Sequence, residues 1–194
     1  VTDDPRIAEL AQFAYEGRLT PNYGDSYLFF VGRDKVHEVL KYLLVKERMA
    51  LKFSMFGYDD DELNDIIMRM MHSEHIRVQA SLDKSQSRGV HERKLLELDA
   101  RLNPMQFNNS FVITTSSTNQ ILHTKGGVCC GLGVAFEGST NWSASGEGTG
   151  TGENVSHVKA QSNTLLVSTN PVLVARFTAN LDNEHAIGLA RRGS

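Results

Sequence analysis

The chain has 194 residues, with 40% hydrophobic and 22% charged residues and a formal charge of −3. That length predicts one α/β-sized globular domain over residues 1–194, able to bury its core without disulfide or metal staples. The small negative charge excludes a protein that holds nucleic acid by the field of the whole molecule, so such a partner would need a local basic patch.

No run of about eighteen apolar residues is present, which argues against a membrane span. The N-terminus VTDDPRIAEL lacks the basic and apolar regions of a secretory signal. The chain begins at Val1, as a processed chain or an excised domain would, so a lost leader or partner domain stays open. Its two cysteines, Cys129 and Cys130, are adjacent, and bridging neighbours strains the peptide between them. They fit a reducing compartment, and the expected location is cytoplasmic.

In chain order, Ser26–Gly32 (SYLFFVG) is β-rich and reads as a buried strand. Val36, Val39, Leu40, Leu43 and Leu44 recur at the spacing of one helix face. Met49–Gly57 reads as a second strand, with Leu51, Phe53 and Met55 alternating against polar neighbours. Asp59, Asp60 and Asp61 supply cap candidates for a helix carrying Leu63, Ile66, Ile67, Met70 and Met71. A third strand follows at His75–Asp83, then a polar loop and a helix over Val90–Asn103.

After Pro104 the β-rich runs come in close succession: SFVITTSS, QILHTKGGVCC, GLGVAFEGS and SNTLLVSTN. The glycine-rich stretch Ala144–Asn154 reads as one flexible loop. A helix from Pro171 closes the pattern at Ala186, with Asn170 as its cap candidate. Strands joined by helical crossovers, followed by consecutive strands, predict an α/β fold: a mixed central β-sheet sandwiched between α-helices, with a core over residues 26–187.

The residues that carry chemistry lie between Ile121 and Asn141. In a strand, His123 and Lys125 would share a face, placing an imidazole beside a fixed ammonium. Such a pair suits a phosphodiester: lysine neutralises a non-bridging oxygen, and a neutral, oriented histidine can attack phosphorus. Ser139 and Asn141 repeat the two-residue spacing at the end of the next β-rich run and would add neutral donors. If the two runs pair, all four groups converge at one sheet edge. The ordinary alternatives, a solvated strand end and a turn, explain each piece alone but not the ordered set.

The set resembles the signature of the phospholipase D superfamily, His-x-Lys followed by Asp and then Gly-Ser-x-Asn, here HTK at His123–Lys125 and GSTN at Gly138–Asn141. The resemblance extends over Ser26–His185, though only the signature is specific. Cys130 stands where the family has its Asp, and one extra residue precedes GSTN. Small nuclease members often carry a Glu before the closing strand. Here that place reads Gln161-Ser162, and the nearest acids are Glu147 and Glu153.

The resemblance implies a metal-independent phosphodiesterase with no cofactor. His123 would be the nucleophile, forming a phosphohistidine, with Lys125 and Asn141 on the non-bridging oxygens and Ser139 in support. A second histidine must protonate the leaving oxygen. Small members obtain it from a homodimer with a shared site, and the same is expected here. A nucleic acid is the expected substrate, with no membrane partner and with a separate recognition domain as a further expectation. Phospholipid chemistry and a non-catalytic binding module are the alternatives.

Four further residues are substrate-side candidates: Glu147, Glu153, Lys84 and Arg88, the last two from a mildly basic segment over Lys84–Arg101. His123 with the two cysteines lacks the spacing of a zinc site, so no metal is expected. His157, after the glycine-rich loop, could approach the site or stand on the surface, and His37, His72, His75, His91 and His185 show no partner pattern in the sequence.

Overall fold

A polypeptide whose apolar residues alternate along its strands must present two unlike sheet faces, and this one does so consistently. The computed structural model describes residues 4–19, 24–149 and 160–192. In it α1 (Pro5–Ala8), capped by Asp4, and short 3₁₀ turns precede β1 (Ser26–Phe30) and α2 (Val36–Lys46). There follow β2 (Ala50–Met55), α3 (Asp61–Met71), β3 (Arg77–Asp83), α4 (Val90–Arg101), α5 (Pro104–Phe107) and β4 (Ser110–Thr114). The remainder is β5 (Lys125–Cys129), β6 (Val134–Gly138), α6 (Ala144–Glu147), β7 (Thr164–Ser168) and α7 (Pro171–Arg192).

The strands form one seven-stranded sheet in the order β1-β7-β6-β5-β2-β3-β4. The β2–β3 and β3–β4 pairs are parallel, joined by helical crossovers, and the remaining pairs are antiparallel. This is the mixed sheet between helical layers that the alternation of elements predicts.

One face is apolar. Leu51, Phe53 and Met55 of β2 stand beside Val78, Ala80 and Leu82 of β3, and all six are buried. The apolar stripes of α2, α3 and α4 cover them in the main core. Each such side chain contributes roughly 1.5–3 kcal/mol when fully buried. Asp60 caps α3, its Oδ1 accepting from the Leu63 amide at 2.7 Å.

The other face, under α7, is polar along β2 and β3 and apolar where Val128 and Ala135 meet Leu181. Lys52 Nζ meets Asp182 at 2.7 Å, Gln79 Nε2 donates to the same carboxylate at 2.8 Å, and the His185 ring lies between the Ser81 and Ser110 hydroxyls. The helix approaches β4 closely enough that a Cβ on Gly188 would stand 2.5 Å from Val112 Cγ2, so this position requires glycine. Asn170 caps α7, accepting from the Val172 and Leu173 amides.

Four expectations need correction. The strand expected over Gln120–Cys130 begins only at Lys125, so His123 precedes it, and Cys130 lies in the turn that follows it. The loop expected over Ala144–Asn154 opens with the helical turn α6, because Ser143 Oγ accepts from the Gly146 amide. The closing helix continues past Ala186 to Arg192. The polar loop after β3 opens as a 3₁₀ turn at Lys84–Gln86, capped by Asp83. Both cysteines are free, as expected. Among the described residues no helix is long and apolar enough to cross a membrane.

Candidate active site

The antiparallel pairing of β5 with β6 sets Gly126 opposite Glu137, which brings the start of β5 beside the end of β6. On the other flank, Met55 at the end of β2 pairs with Lys125, and the Phe56 amide donates to the Thr124 carbonyl. HTK and GSTN therefore meet at one sheet edge, with the segment after β2 running between them.

Phe56 and Gly57 form the contact between the two motifs. The His123 ring sits edge-on to the Phe56 ring, with centroids 4.8 Å apart, and Lys125 Nζ is 5.2 Å from the same centroid. Asn141 packs on Gly57 so closely that a Cβ there would lie 2.9 Å from Asn141 Cγ. Glycine at 57 thus lets the GSTN loop close over β2 without displacing the Asn141 side chain. Trp142, buried and stacked on Phe53, fixes the loop from behind: its amide donates to Gly57 O at 2.9 Å and its carbonyl accepts from the Asp59 amide at 2.6 Å.

The four side chains differ in environment. His123 and Ser139 are exposed, whereas Lys125 is 5% exposed. Burial pulls the Lys125 ammonium below its usual range, against the opposing effect of Glu137, and its Nζ donates to the His123 carbonyl at 2.8 Å. Ser139 Oγ accepts from the Thr164 amide, and Thr140 Oγ1 donates to the Thr164 carbonyl, so β7 holds the loop from its other side. Asn141 Oδ1 is buried without a hydrogen-bond partner. A buried polar group left open costs stability and is usual where a ligand completes the set.

The substrate-side candidates separate. Lys84 and Arg88 are exposed just beyond β3, on the same sheet edge, where Asp83 Oδ2 accepts from the Leu122 amide that leads into HTK. Glu147 is 3% exposed and belongs to a different cluster. Glu153 and His157 lie outside the described residues.

A buried carboxylate does stand beside the turn where the expected Asp is replaced by Cys130. It is Glu47, at the end of α2, fully buried. Its Oε2 accepts from the Gly131 amide at 2.9 Å, and its Oε1 accepts from the Met49 amide at 2.6 Å. Burial pushes the Cys130 thiol up, away from reactivity, and the Lys52 charge only partly opposes this.

The sequence gives no sign of the cluster around His37. His37 Nδ1 lies 2.5 Å from Glu147 Oε2 and 3.7 Å from Asp60 Oδ2, while Nε2 lies 2.9 Å from Glu62 Oε2. Burial pushes His37 down, but the bonds to Glu147 and Glu62 and the Asp60 charge outweigh it and hold the imidazole at about 9. Burial pushes Glu147 up to about 7, and Asp60 adds to the shift. Both groups therefore keep protons more tightly than usual. Asp60 carries a cap signal and Glu147 lies near the motif, but no local spacing links either to His37.

No family model and no curated protein matches the sequence. Solved structures do match. NucT from Helicobacter pylori aligns at 13% identity with a TM-score of 0.63, covering 84% of this chain and 96% of that one. Nuc from Salmonella typhimurium, a phospholipase D family member, aligns at 9% identity with a TM-score of 0.61, covering 84% and 97%. Phosphatidylserine synthase from Haemophilus influenzae aligns at 14% and 0.56, covering 80% of this chain but 36% of its own length. These likenesses, with the sheet order and helical layers above, give the chain a phospholipase D/nuclease-like fold.

Proposed function

We propose that the protein is a metal-independent phosphodiesterase acting on nucleic acid through a covalent phosphohistidine. The observation that carries this reading is the meeting of His123 and Lys125 with Asn141 across Phe56 and Gly57. In the reaction His123 attacks phosphorus and the ester oxygen departs with a proton from a second histidine. That histidine then takes a proton from water, which displaces His123 from phosphorus. Lys125 and Asn141 hold the non-bridging oxygens as charge develops on them, and Ser139 supports His123.

The second histidine comes from a second copy. Among the described residues, His37, His91 and His185 are buried among their own partners, and His72 and His75 sit near the start of β3, at the opposite sheet edge. A two-fold axis beside His123 would supply the missing group. The near-complete coverage of NucT and Nuc favours this small single-motif class over the lipid-synthase architecture, of which the chain spans about a third. The exposed Lys84 and Arg88 would meet a strand backbone, and a separate recognition domain would supply targeting.

The test is cleavage of single- and double-stranded DNA, RNA and phospholipid vesicles in excess EDTA, with His123→Ala in parallel. Nucleic-acid cleavage that survives EDTA and disappears in the variant is expected. Cleavage of lipid alone would move the protein to phospholipid chemistry, and turnover that requires Mg²⁺ would overturn the mechanism. Full activity from a monomer would overturn the shared site.

A further inference from the structure

Behind the GSTN loop lies a buried cluster of one histidine and two carboxylates. His37, Asp60 and Glu147 are each buried, and one ligand atom from each lies within 4.8 Å of the others. The other polar atoms of Asp60 and His37 are already committed. Asp60 Oδ1 caps α3, which leaves Oδ2 facing the imidazole. His37 Nε2 faces Glu62, and Glu62 Oε1 is paired with Lys41 at 2.7 Å. With Nε2 donating to Glu62, an incoming ion would displace to solvent the proton that Nδ1 shares with Glu147, leaving the Nδ1 lone pair between the two buried carboxylates. A carboxylate on the outer nitrogen of a histidine is the usual support of a metal-bound imidazole. Independently, Glu147 Oε1 is buried with no hydrogen-bond partner.

From this arrangement we infer a site for one divalent transition metal of the Zn²⁺ type, held by His37 Nδ1, Asp60 and Glu147, with water as fourth ligand. One nitrogen and two carboxylate oxygens suit such an ion better than the all-oxygen shells of Ca²⁺ or Mg²⁺. The charges fit as well. Asp60, Glu62 and Glu147 carry three negative charges, and Lys41 is shared between Glu62 and Glu38, so a dication offsets most of the charge that is left. Ligand atoms about 2.0–2.1 Å from zinc stand roughly 3.3 Å apart in a tetrahedron. The 2.5 Å and 3.7 Å separations bracket that value, so small side-chain rotations would form the site.

The ion is structural, and the reaction at His123 does not use it. Glu147 ends α6, which is only four residues long and follows Asn141 by six positions. A helix of one turn cannot hold itself in water. Tying Glu147 to α2 and α3 would anchor α6, whereas the GSTN loop is already held by Trp142 on Gly57 and Asp59 and by Ser139 and Thr140 on Thr164. The inference does not depend on the proposed reaction, and its test does not measure cleavage.

Chelator-stripped full-length protein is titrated with Co²⁺ and followed by visible absorption, then with Zn²⁺ and followed by thermal unfolding. One equivalent of Co²⁺ with the intense band of a four-coordinate ion, displaced by Zn²⁺, is expected, together with a rise in Tm on adding Zn²⁺. Glu147→Gln and His37→Gln should lose both signals. Glu62→Gln, which removes no ligand, should weaken binding roughly 10–100-fold, and it reports on the site if either other variant fails to fold. Wild-type protein with neither signal, or signals unchanged in a folded Glu147→Gln, would overturn the site.

Discussion

His123 and His37 show how differently one residue type is used in a single fold. His123 is exposed at the lip of the sheet, against one face-giving aromatic ring, with a lysine two residues on. His37 is enclosed between α2, α3 and α6 and touches three carboxylates. The first arrangement leaves the imidazole accessible to a substrate and asks the surroundings only to aim it. The second spends the imidazole on neutralising buried charge and on joining elements. Accessibility beside hydrogen-bond donors suits the reactive role proposed for His123, whereas enclosure by opposite charge suits a fastener at His37.

The sharpest way to break this contrast is to remove each ring in turn. His123→Ala should reduce cleavage by about 10⁴-fold or more while leaving Tm nearly unchanged, because an exposed side chain carries little packing energy. His37→Ala should do the reverse. It leaves buried carboxylates without their partner, at a cost of about 3–5 kcal/mol. Urea unfolding and single-turnover cleavage on both variants decide the matter. A large stability loss at His123, or a catalytic loss at His37 without a stability loss, would reverse the assignment of roles.

Glu47 tests whether a fastener can do the work of an absent motif residue. Its carboxylate receives amides from both the α2–β2 link and the β5–β6 turn. Glu47→Ala should cost about 3 kcal/mol, since several buried N–H groups lose their acceptor together. The midpoint of urea unfolding measures it. An unaltered midpoint would show that the turn around Cys130 holds without any carboxylate.

What could be read in advance follows the same division. HTK and GSTN are short spacings along single segments, and the alternation on their flanks is a local property, so the meeting of these two segments at the ends of neighbouring strands was legible. The strand and helix order was legible for the same reason, through Leu51, Phe53 and Met55 on one strand and Val36 to Leu44 on one helix. The His37 cluster joins positions 37, 60, 62 and 147, and its chemistry exists only after α2, α3 and α6 pack. Glu47 is similar: nothing local links it to Gly131. The end of the strand before Lys125 was misplaced because Ile121 and Leu122 are apolar for another reason. Leu122 is buried, and its amide is bonded to Asp83 rather than to a neighbouring strand.

Lys125 sits between the two regimes: it holds phosphate in the proposed reaction, yet it is buried. Its desolvated ammonium loses its proton at lower pH than a surface lysine would. The form that binds phosphate is therefore lost early, and the alkaline limb of kcat/KM should fall below the normal lysine range. For stability the sign is opposite. A depressed lysine pKa means that the folded state binds fewer protons, so the burial cost is felt below the folded value and relieved as pH rises toward 10.5. Lys125→Arg, which stays charged, should flatten the alkaline limb whatever its effect on rate. A limb unchanged in that variant would assign it to another group.

The smallest expected effect probes how finely the exposed site is aimed. Gly57→Ala places a methyl group 2.9 Å from Asn141 Cγ, and the amide must move by a few tenths of an ångström or more. No core contact is lost, so Tm should change little. Cleavage should fall by roughly tenfold to a hundredfold, the scale on which small misplacements of a positioning group are felt. KM and kcat separate the causes. If Asn141 holds oxygens mainly as charge develops, kcat falls with KM nearly constant. If it serves only to bind the ground state, KM rises alone, and Asn141 would then belong with the binding surface beside Lys84 and Arg88 rather than with His123 and Lys125.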